Sequence, residues 1–403
     1  MCFNCTSQAE EPTILMSSKL TIGEKTLFIT SVLLDADGEY FGLCSSNEGS
    51  PEGIDHIECF VCNPLNIPPK DAQANNYRVA LFTHHHWPES KIVSLRNSKD
   101  RYVGLAFSLE ALSKEGTALR DDEVNNAYGF FALQQLCLGK AVRYNVERSA
   151  ISNQTLSITD FYPEDAVVCV FLDSGWRTCV PYSKDFQSFI EATLPFFAKL
   201  GLQALFDDAP RSNKTTQNTM QSLDDLGNNR LIVRGMSEDF PLTSRAFLIK
   251  LLVEIEPIER HPAFRFFLFY QLFELLMQDL YEDYLKQFRL ASKETQYDDP
   301  ISMRELIDAF KDSLSEKSRI KRILDCNREV LSKAQKLQTH CHNFFADLGQ
   351  DVEDDTSILL YKIRNHLFHS FSSIESKNVD LSGLDTCFVD FVCELSLVSR
   401  VIN

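Results

Sequence analysis

The spacing of hydrophobic and polar residues changes near the middle of the chain. In the first half, short apolar runs rich in β-branched and aromatic residues alternate with turn residues, which is typical of strands. The seven runs are TLFITSVLL, YFGLC, IECFVC, YRVALFTH, KIVSL, YVGLAFSL and AVVCVFL. In the second half, apolar residues recur at three- and four-residue steps, which predicts amphipathic helices. The sequence therefore predicts a β-rich part followed by an all-helical part.

Residues 1–205 are predicted to form an α+β domain built on a mostly antiparallel sheet. Helical patterns at 122–138 and 185–205 accompany the strands, and Pro195 is expected to kink the second helix. The segment Asp35-Ala-Asp37-Gly38 lacks the further ligands of a calcium loop, so we interpret it as a hairpin turn. The stretch 206–230 is polar and nearly free of large apolar groups, which predicts a linker.

Residues 231–403 are predicted to form a helical bundle. Besides the helix that carries the motif described next, the pattern predicts helices at 264–288, 302–324, 327–348 and 384–401. The first of these is apolar on nearly every side, so we expect it at the centre of the bundle. Glu274 is a conspicuous acid within it, and one hypothesis is that Glu274 pairs with and orients Arg364.

The segment YKIRNHLFH at 361–369 contains the densest group of side chains that are suited to catalysis. A helix is predicted here because one apolar stripe recurs at helical spacing. Thr356 is predicted to be its N-cap. The stripe consists of Leu360, Ile363, Leu367 and Phe371. Arg364 lies about 40° from Leu360 around the helix, on the flank of this stripe. Its guanidinium must therefore emerge at a boundary between helices, where it needs a partner or a ligand.

Arginine and histidine in this arrangement suit chemistry at phosphorus. The guanidinium of Arg364 matches two phosphate oxygens at once, and an imidazole can accept and donate a proton near neutral pH. The 2′-hydroxyl of RNA would serve as the internal nucleophile. Because one motif histidine per chain is few for this reaction, we expect a twofold dimer that brings two copies of the helix together.

At these residues the sequence resembles the HEPN family of small helical domains, whose hallmark is Arg, four to six residues, then His. Arg364, Asn365 and His369 fit the four-residue form, Arg-Asn-x-x-x-His, and the resemblance covers roughly residues 235–403. It implies endoribonuclease activity without a metal ion or cofactor and dimerisation through the motif helices. It also implies a role in toxin–antitoxin, CRISPR-linked or abortive-infection defence. Catalysis is expected from Arg364, Asn365 and His369.

Further residues are assigned supporting roles. His366 lies outside the family pattern, so it and Glu274 are auxiliary candidates, and His369 is preferred because it occupies the motif position. RNA contacts are expected from Lys362, Arg319, Lys321 and Arg322. The last three belong to a segment, Lys311–Lys336, with eight positive and four negative side chains. An alternative for most of this segment is a solvated helix face with ion pairs.

Composition limits the range of functions. The net charge of −17 argues against a general nucleic-acid coat, although a local basic patch remains compatible with an RNase. The N-terminal residues lack the pattern of a signal peptide, and the apolar runs are too short or too charged for a membrane span. Twelve cysteines without a dense framework predict reduced thiols and a cytoplasmic location.

Two sequence features raise the question of zinc. Cys2 and Cys5, with Cys59 and Cys62, have knuckle spacing, but the first pair is terminal and the second lies in a strand-like run. The His84–His86 triplet is interpreted as an exposed strand end rather than as a ligand cluster. No metal site is therefore predicted, and zinc at the four cysteines stays open.

The sequence-based hypothesis is a two-domain cytoplasmic endoribonuclease that acts as a toxin or anti-phage effector. Its β-rich domain would sense a protein or phage-derived trigger, its helical domain would form a homodimer, and RNA would be the substrate. Two alternatives remain. The bundle is a non-catalytic dimerisation or binding module of a larger complex, or the β-rich domain is the enzyme and the bundle pairs it.

Overall fold

The computed structural model describes most of the chain and divides it into two compact units. The described residues are 18–22, 25–45, 56–68, 76–84, 87–114, 116–139, 155–205, 229–255, 259, 261–294, 300–327, 330–352, 354–377 and 379–398. The first unit comprises residues 1–79 and 109–164, and the second comprises residues 80–108 and 165–403. Residues 165–205 therefore belong to the same unit as the helical region. The predicted linker, 206–230, lies outside the described residues except for its last two positions.

All seven apolar runs form strands, as predicted. The strands are β1 (Ser18–Ile22), β2 (Lys25–Leu34), β3 (Tyr40–Ser45), β4 (His56–Cys62), β5 (Tyr77–Thr83), β6 (Val93–Arg96), β7 (Tyr102–Ser108), β8 (Thr155–Leu156), β9 (Ala166–Leu172), β10 (Gln203–Ala204) and β11 (Arg230–Ile232). The sequence pattern missed β1, β8, β10 and β11, of which the last three are only two or three residues long.

The helical half is also present, with more helices than predicted. The α-helices are α1 (Glu123–Cys137), α2 (Asp173–Cys179), α3 (Phe186–Lys199), α4 (Leu242–Lys250), α5 (Pro262–Glu294), α6 (Pro300–Leu314), α7 (Glu316–Cys326), α8 (Leu331–Asp347), α9 (Thr356–His369), α10 (Phe371–Ser376) and α11 (Ser382–Val398). A π-helical turn, Leu251–Ile255, continues α4. No described helix has the length and apolar character needed to cross a bilayer.

The first unit is built on a five-stranded sheet in the order β1-β2-β3-β4-β8. The first four strands are antiparallel neighbours, whereas β8 runs parallel to β4. The predicted hairpin turn joins β2 to β3: Gly38 has φ +76°, and its amide donates to the Asp35 carbonyl at 3.2 Å. Helix α1 contributes Phe130, whose ring lies 5.2 Å from that of Phe41 on β3.

The second unit contains a six-stranded sheet in the order β10-β5-β9-β7-β6-β11. Its pairs β10–β5, β6–β7 and β7–β9 are antiparallel, but β11 runs parallel to β6. The expected single, mostly antiparallel sheet is thus two sheets, and this one is mixed. Phe189 of α3 packs on Phe171 of β9 with ring centroids 5.1 Å apart, which covers the sheet with an aromatic layer.

Helix α5 lies at the centre of the helical region, as its all-round apolar character predicted. It contacts α4, α6, α7, α9 and α11. The closest aromatic contact joins Phe266 of α5 to Phe388 of α11, with ring centroids 4.4 Å apart. Both rings are almost completely buried. Their burial fixes which face of α5 points inward and which face remains for α9.

Two predicted helices are longer than the helices that the structure contains. The predicted helix at 302–324 is two helices, because the Ser315 hydroxyl accepts the Ser318 amide hydrogen at 3.1 Å and caps α7. The predicted helix at 185–205 ends at Lys199. Gly201, with φ +74°, then reverses the chain into β10, which pairs with β5. In both cases a local capping feature outweighs the apolar periodicity.

A buried group of charges ties α3 to α11. Glu394 of α11 accepts hydrogen bonds from Lys199 and from Arg234, whose Nη2 lies 2.7 and 2.9 Å from the two carboxylate oxygens. The Lys199 and Glu394 side chains are only 10% and 11% exposed. Burial favours the neutral carboxyl, but the hydrogen bonds and charges of Lys199 and Arg234 outweigh it and lower the pKa of Glu394.

Replacing Glu394 tests this ionic contact. Glu394→Gln removes the nearest counter-charge of the buried Lys199 and leaves it only the Asp390 carboxylate at 3.9 Å, so the free energy of unfolding should fall by about 2 kcal/mol at pH 7. Because folding lowers the pKa of Glu394, its stabilisation is complete above the unfolded value of about 4.3 and is lost as the pH falls through the folded value. Urea titrations at several pH values should show the difference from wild type shrinking in acid.

A matched control is Asp308→Asn on α6, which removes an exposed carboxylate whose side chain is 58% accessible. It should change stability by less than about 0.5 kcal/mol. An equal effect of both substitutions would contradict the assignment of a buried ionic contact at Glu394.

Candidate functional site

The motif segment lies on α9, and the cap of this helix is Asp355 rather than the predicted Thr356. The Asp355 carboxylate accepts the Ile358 amide hydrogen at 3.1 Å and the Ser357 hydroxyl hydrogen at 2.5 Å. Thr356 is instead the first helical residue and is buried. An aspartate cap is favoured at this end because its charge also complements the helix dipole.

The predicted apolar stripe is buried along α9 but does not extend beyond it. Leu360, Ile363 and Leu367 are buried as expected. Phe371 does not continue the stripe, because α9 ends at His369 and Phe371 begins α10. The helix contacts α5, α7, α8 and α10, so its inner face is fixed by packing on several sides.

The cap at Asp355 sets where α9 begins, which a substitution can test. Asp355→Ala should lower the free energy of unfolding by about 1 kcal/mol, because two hydrogen bonds to the first turn are lost. Asp351→Ala, at an exposed carboxylate shortly before the helix, is the matched control and should be near neutral. Equal chemical-denaturation midpoints for the two variants would show that Asp355 is not the cap.

Arg364 emerges between α9 and α5 and pairs with Glu274, as hypothesised. Its Nη2 donates to Glu274 Oε1 at 3.1 Å, and its Nη1 donates to Asn365 Oδ1 at 3.1 Å. The guanidinium carbon lies 5.7 Å from the centroid of the Phe368 ring. The Arg364 Nε is buried and has no hydrogen-bond partner among the residues that the structure describes. The pair is half-exposed, with side-chain accessibilities of 27% and 42%.

The two histidines of the motif point into different surroundings. His369 is exposed at the end of α9, and its ring meets Phe368 edge-on with centroids 4.9 Å apart. His366 is half-buried, and its ring lies 5.5 Å from Phe345 of α8. Burial and the charge of Lys362 lower the pKa of His366. Arg364 and His369 therefore share one neighbour, the ring of Phe368, whereas His366 faces α8.

The predicted RNA-binding cations do not gather around His369. Lys362 forms an ion pair with Asp354, just before the helix begins. The charge of Lys321 acts on Asp355, so Lys321 lies near the start of α9, about 20 Å along the helix from His369. Arg319 donates to the Met277 carbonyl at 3.4 Å, and Arg322 is exposed. Lys362 and Lys321 therefore lie toward the beginning of α9, whereas Arg319 reaches from α7 to α5.

Part of the basic segment 311–336 is engaged in contacts within the chain. Lys311 pairs with Asp308 at 3.5 Å, and Lys333 pairs with Asp390 at 2.6 Å. The Lys317 ammonium lies 5.0 Å from the centre of the Tyr361 ring. Only Lys311, which pairs within α6, matches the alternative of a solvated helix face with ion pairs. Lys333 and Lys317 instead contact side chains of α11 and α9.

The sequence interpretation missed a row of aromatic rings beside the motif. Phe264 and Phe267 of α5 face Phe371 and Phe368, with ring centroids 6.2 and 5.9 Å apart. Phe264, Phe267, Gln271 and Glu274 follow one another at steps of three and four, so they share one face of α5. This spacing was the signal that could have identified the row.

The cysteine and histidine clusters give no metal centre among the described residues. Cys2, Cys5, His85 and His86 lie outside those residues, and Cys59 is buried in β4. Within the described part of the chain, no three His, Cys, Asp or Glu side chains are placed to hold a metal ion. The expectation that His84 is exposed is wrong, since it is 3% accessible and packs its ring 6.0 Å from that of Trp87.

The Arg364–Glu274 pair predicts a measurable coupling between α9 and α5. A double-mutant cycle with alanine at both positions should give a coupling of about 0.5–1 kcal/mol, limited by the partial exposure of the pair. The coupling should weaken with added salt. The exposed pair Arg304–Asp308 provides the control cycle, with an expected coupling of about 0.3 kcal/mol. A coupling below this control would show that the pair does not orient Arg364.

The chain matches no family model, and no curated protein or solved structure is detectably similar to it.

Proposed function

We propose that this chain is a metal-independent endoribonuclease whose catalytic residues are Arg364, Asn365 and His369. The observation that carries the proposal is the shared contact of Arg364 and His369 with the Phe368 ring, at the accessible end of α9. A permanent cation and a solvent-exposed imidazole both lie against this ring. This combination fits transfer at a phosphodiester.

The reaction needs only the groups of the substrate and the protein. The 2′-oxygen attacks phosphorus, the new O2′–P bond forms, and the P–O5′ bond breaks. An imidazole accepts the 2′-hydroxyl proton, and a protonated imidazole supplies a proton to the departing 5′-oxygen. Arg364 stabilises the charge that develops on the non-bridging oxygens, while Asn365 positions Arg364 through its side-chain oxygen.

Two imidazoles serve this scheme better than one, so we propose a homodimer of the helical region. His369 ends α9 and is exposed, which leaves it accessible to the corresponding helix of a second copy. Twofold symmetry would then supply one acid and one base from identical residues. His366 is the auxiliary candidate, because burial and the charge of Lys362 lower its pKa and so favour the neutral imidazole that a general base requires.

Glu274 acts as a positioning residue in this scheme. It holds Arg364 through Nη2, so a phosphate must share the guanidinium with this carboxylate or displace it. Since the Glu274 side chain is 42% exposed, displacement should cost only about 1 kcal/mol. The proposed nuclease is cytoplasmic and acts as a toxin or abortive-infection effector. Its N-terminal region would respond to a protein or phage-derived trigger; the analogy to defence systems alone supports this step.

A second candidate is a non-catalytic helical module that dimerises or binds within a larger complex. The same geometry favours it, because Arg364 already has partners in Glu274 and Asn365. In that case the ion pair serves only to join α5 and α9.

Expression in cells separates the two candidates. Induced wild type should arrest growth and fragment RNA, whereas Arg364→Ala and His369→Ala should reduce fragmentation at least about 100-fold, the usual effect of removing a catalytic group. The controls are Arg304→Ala, at an 85% exposed arginine of α6, and His340→Ala, at a histidine that packs against α11. Both controls should retain wild-type effects. Equal toxicity and RNA damage in all five proteins would refute the nuclease.

A further inference from the structure

Two ring contacts beside the motif follow one another along the junction of α5 with α9 and α10. We call Phe264, Phe267, Phe368 and Phe371 the aromatic row. Glu274 meets Arg364 and Phe267 meets Phe368, so the residue numbers rise along α5 as they fall along α9. The two helices are therefore antiparallel, and the row follows their junction away from Arg364. From Glu274 to Phe264 the row and its charged end extend about 15 Å.

The row is unusual in its exposure. Phe264 and Phe368 are 55% and 60% accessible. Among the described residues of the second unit, the other large exposed apolar side chains are aliphatic. Within the described part of the second unit, exposed phenylalanines are thus concentrated at one place, which adjoins the guanidinium of Arg364 and the imidazole of His369. Flat rings beside a phosphate-binding cation are the two components of a single-stranded nucleic-acid site.

We propose that the aromatic row binds unpaired nucleobases and thereby makes single-stranded RNA the substrate of this chain. The inference rests on the proposed function and deepens it. Phe368 stacks a base next to the scissile phosphate, because its ring contacts both Arg364 and His369. Phe264, at the far end of the row, stacks a base further along the strand. A duplex keeps its bases paired and stacked internally, so it cannot use these rings.

Charge as well as shape indicates what kind of molecule binds to the aromatic row. Protein interfaces also combine aromatic rings with arginine, so the rings alone do not identify what binds them. A strand of RNA presents a base face and a phosphate in each nucleotide, so it can use the ring and the cation together. We therefore assign the row to RNA rather than to a second copy of the chain.

Binding of a strand that cannot be cleaved tests the assignment without depending on catalysis. The probe is a fluorescent 2′-O-methyl RNA strand, which lacks the free 2′-hydroxyl, measured by anisotropy alone and after annealing to its complement. Phe368→Ala and Phe264→Ala should each weaken single-strand binding by about tenfold. Phe368→Trp should retain binding, because tryptophan also offers a stacking face. None of the three should alter binding of the duplex.

The matched control is Leu290→Ala, which truncates a 61% exposed side chain on the same helix, beyond the row. It should leave the affinity for the strand within twofold of wild type. Unchanged affinity in Phe368→Ala, or an equal loss for strand and duplex, would overturn the inference. The inference would also be overturned if a phenylalanine variant lost affinity only because its oligomeric state had changed, as a different molar mass in light scattering would show. The row would then be a subunit contact.

The nuclease and the base-stacking surface can be refuted separately. Cleavage that depends on Arg364 and His369, with strand binding indifferent to the row, would keep the nuclease and remove the base-stacking surface. Strand binding that depends on the row, in a protein that leaves ordinary RNA intact, would keep the surface and remove the nuclease.

Discussion

The guanidinium of Arg364 is the constraint around which the candidate site is arranged. It sits at the flank of the buried stripe of α9, where a permanent charge cannot be left without a partner. Glu274 meets it from α5, and Asn365 meets it from the next position on α9. This contact matches the register in which the two helices pack. In the same register Phe267 meets Phe368, and the Phe368 ring lies against both the arginine and His369.

The neighbouring helices hold this contact in place. Helix α5 packs its opposite side on α11 through Phe266 and Phe388, and α11 is anchored to α3 by the Glu394 ion pairs. The sheet-covering helix α3 and the motif helix are therefore parts of one compact unit. A site on packed helices keeps its geometry better than one on loops, which suits chemistry that needs a fixed cation and a fixed imidazole. The end of α9, with Phe368 and His369, is the part of this arrangement that is exposed to solvent.

The sequence predicted what depends on periodicity and missed what depends on local hydrogen bonds and distant pairing. The helical stripe at Leu360 and Ile363 and the pairing of Glu274 with Arg364 follow from spacing and from the cost of an unpaired charge. The break at Ser315 and the cap at Asp355 do not, because a single side-chain hydrogen bond decides each. Short strands such as β10 and β11 exist only through their neighbours in the sheet. The spacing of the phenylalanines in α5 could have identified the aromatic row. The exposure of these rings could not be predicted, because it depends on where α9 packs.

The most direct test of the central claim is the chemistry of the RNA ends produced by the purified chain in the presence of EDTA. Attack by the 2′-oxygen predicts a 2′,3′-cyclic phosphate on one fragment and a free 5′-hydroxyl on the other. A single 2′-deoxy substitution at the cut position should abolish cleavage there and nowhere else. Cleavage that persists at the substituted position, or RNA that remains intact beside the purified wild-type chain, would contradict the account.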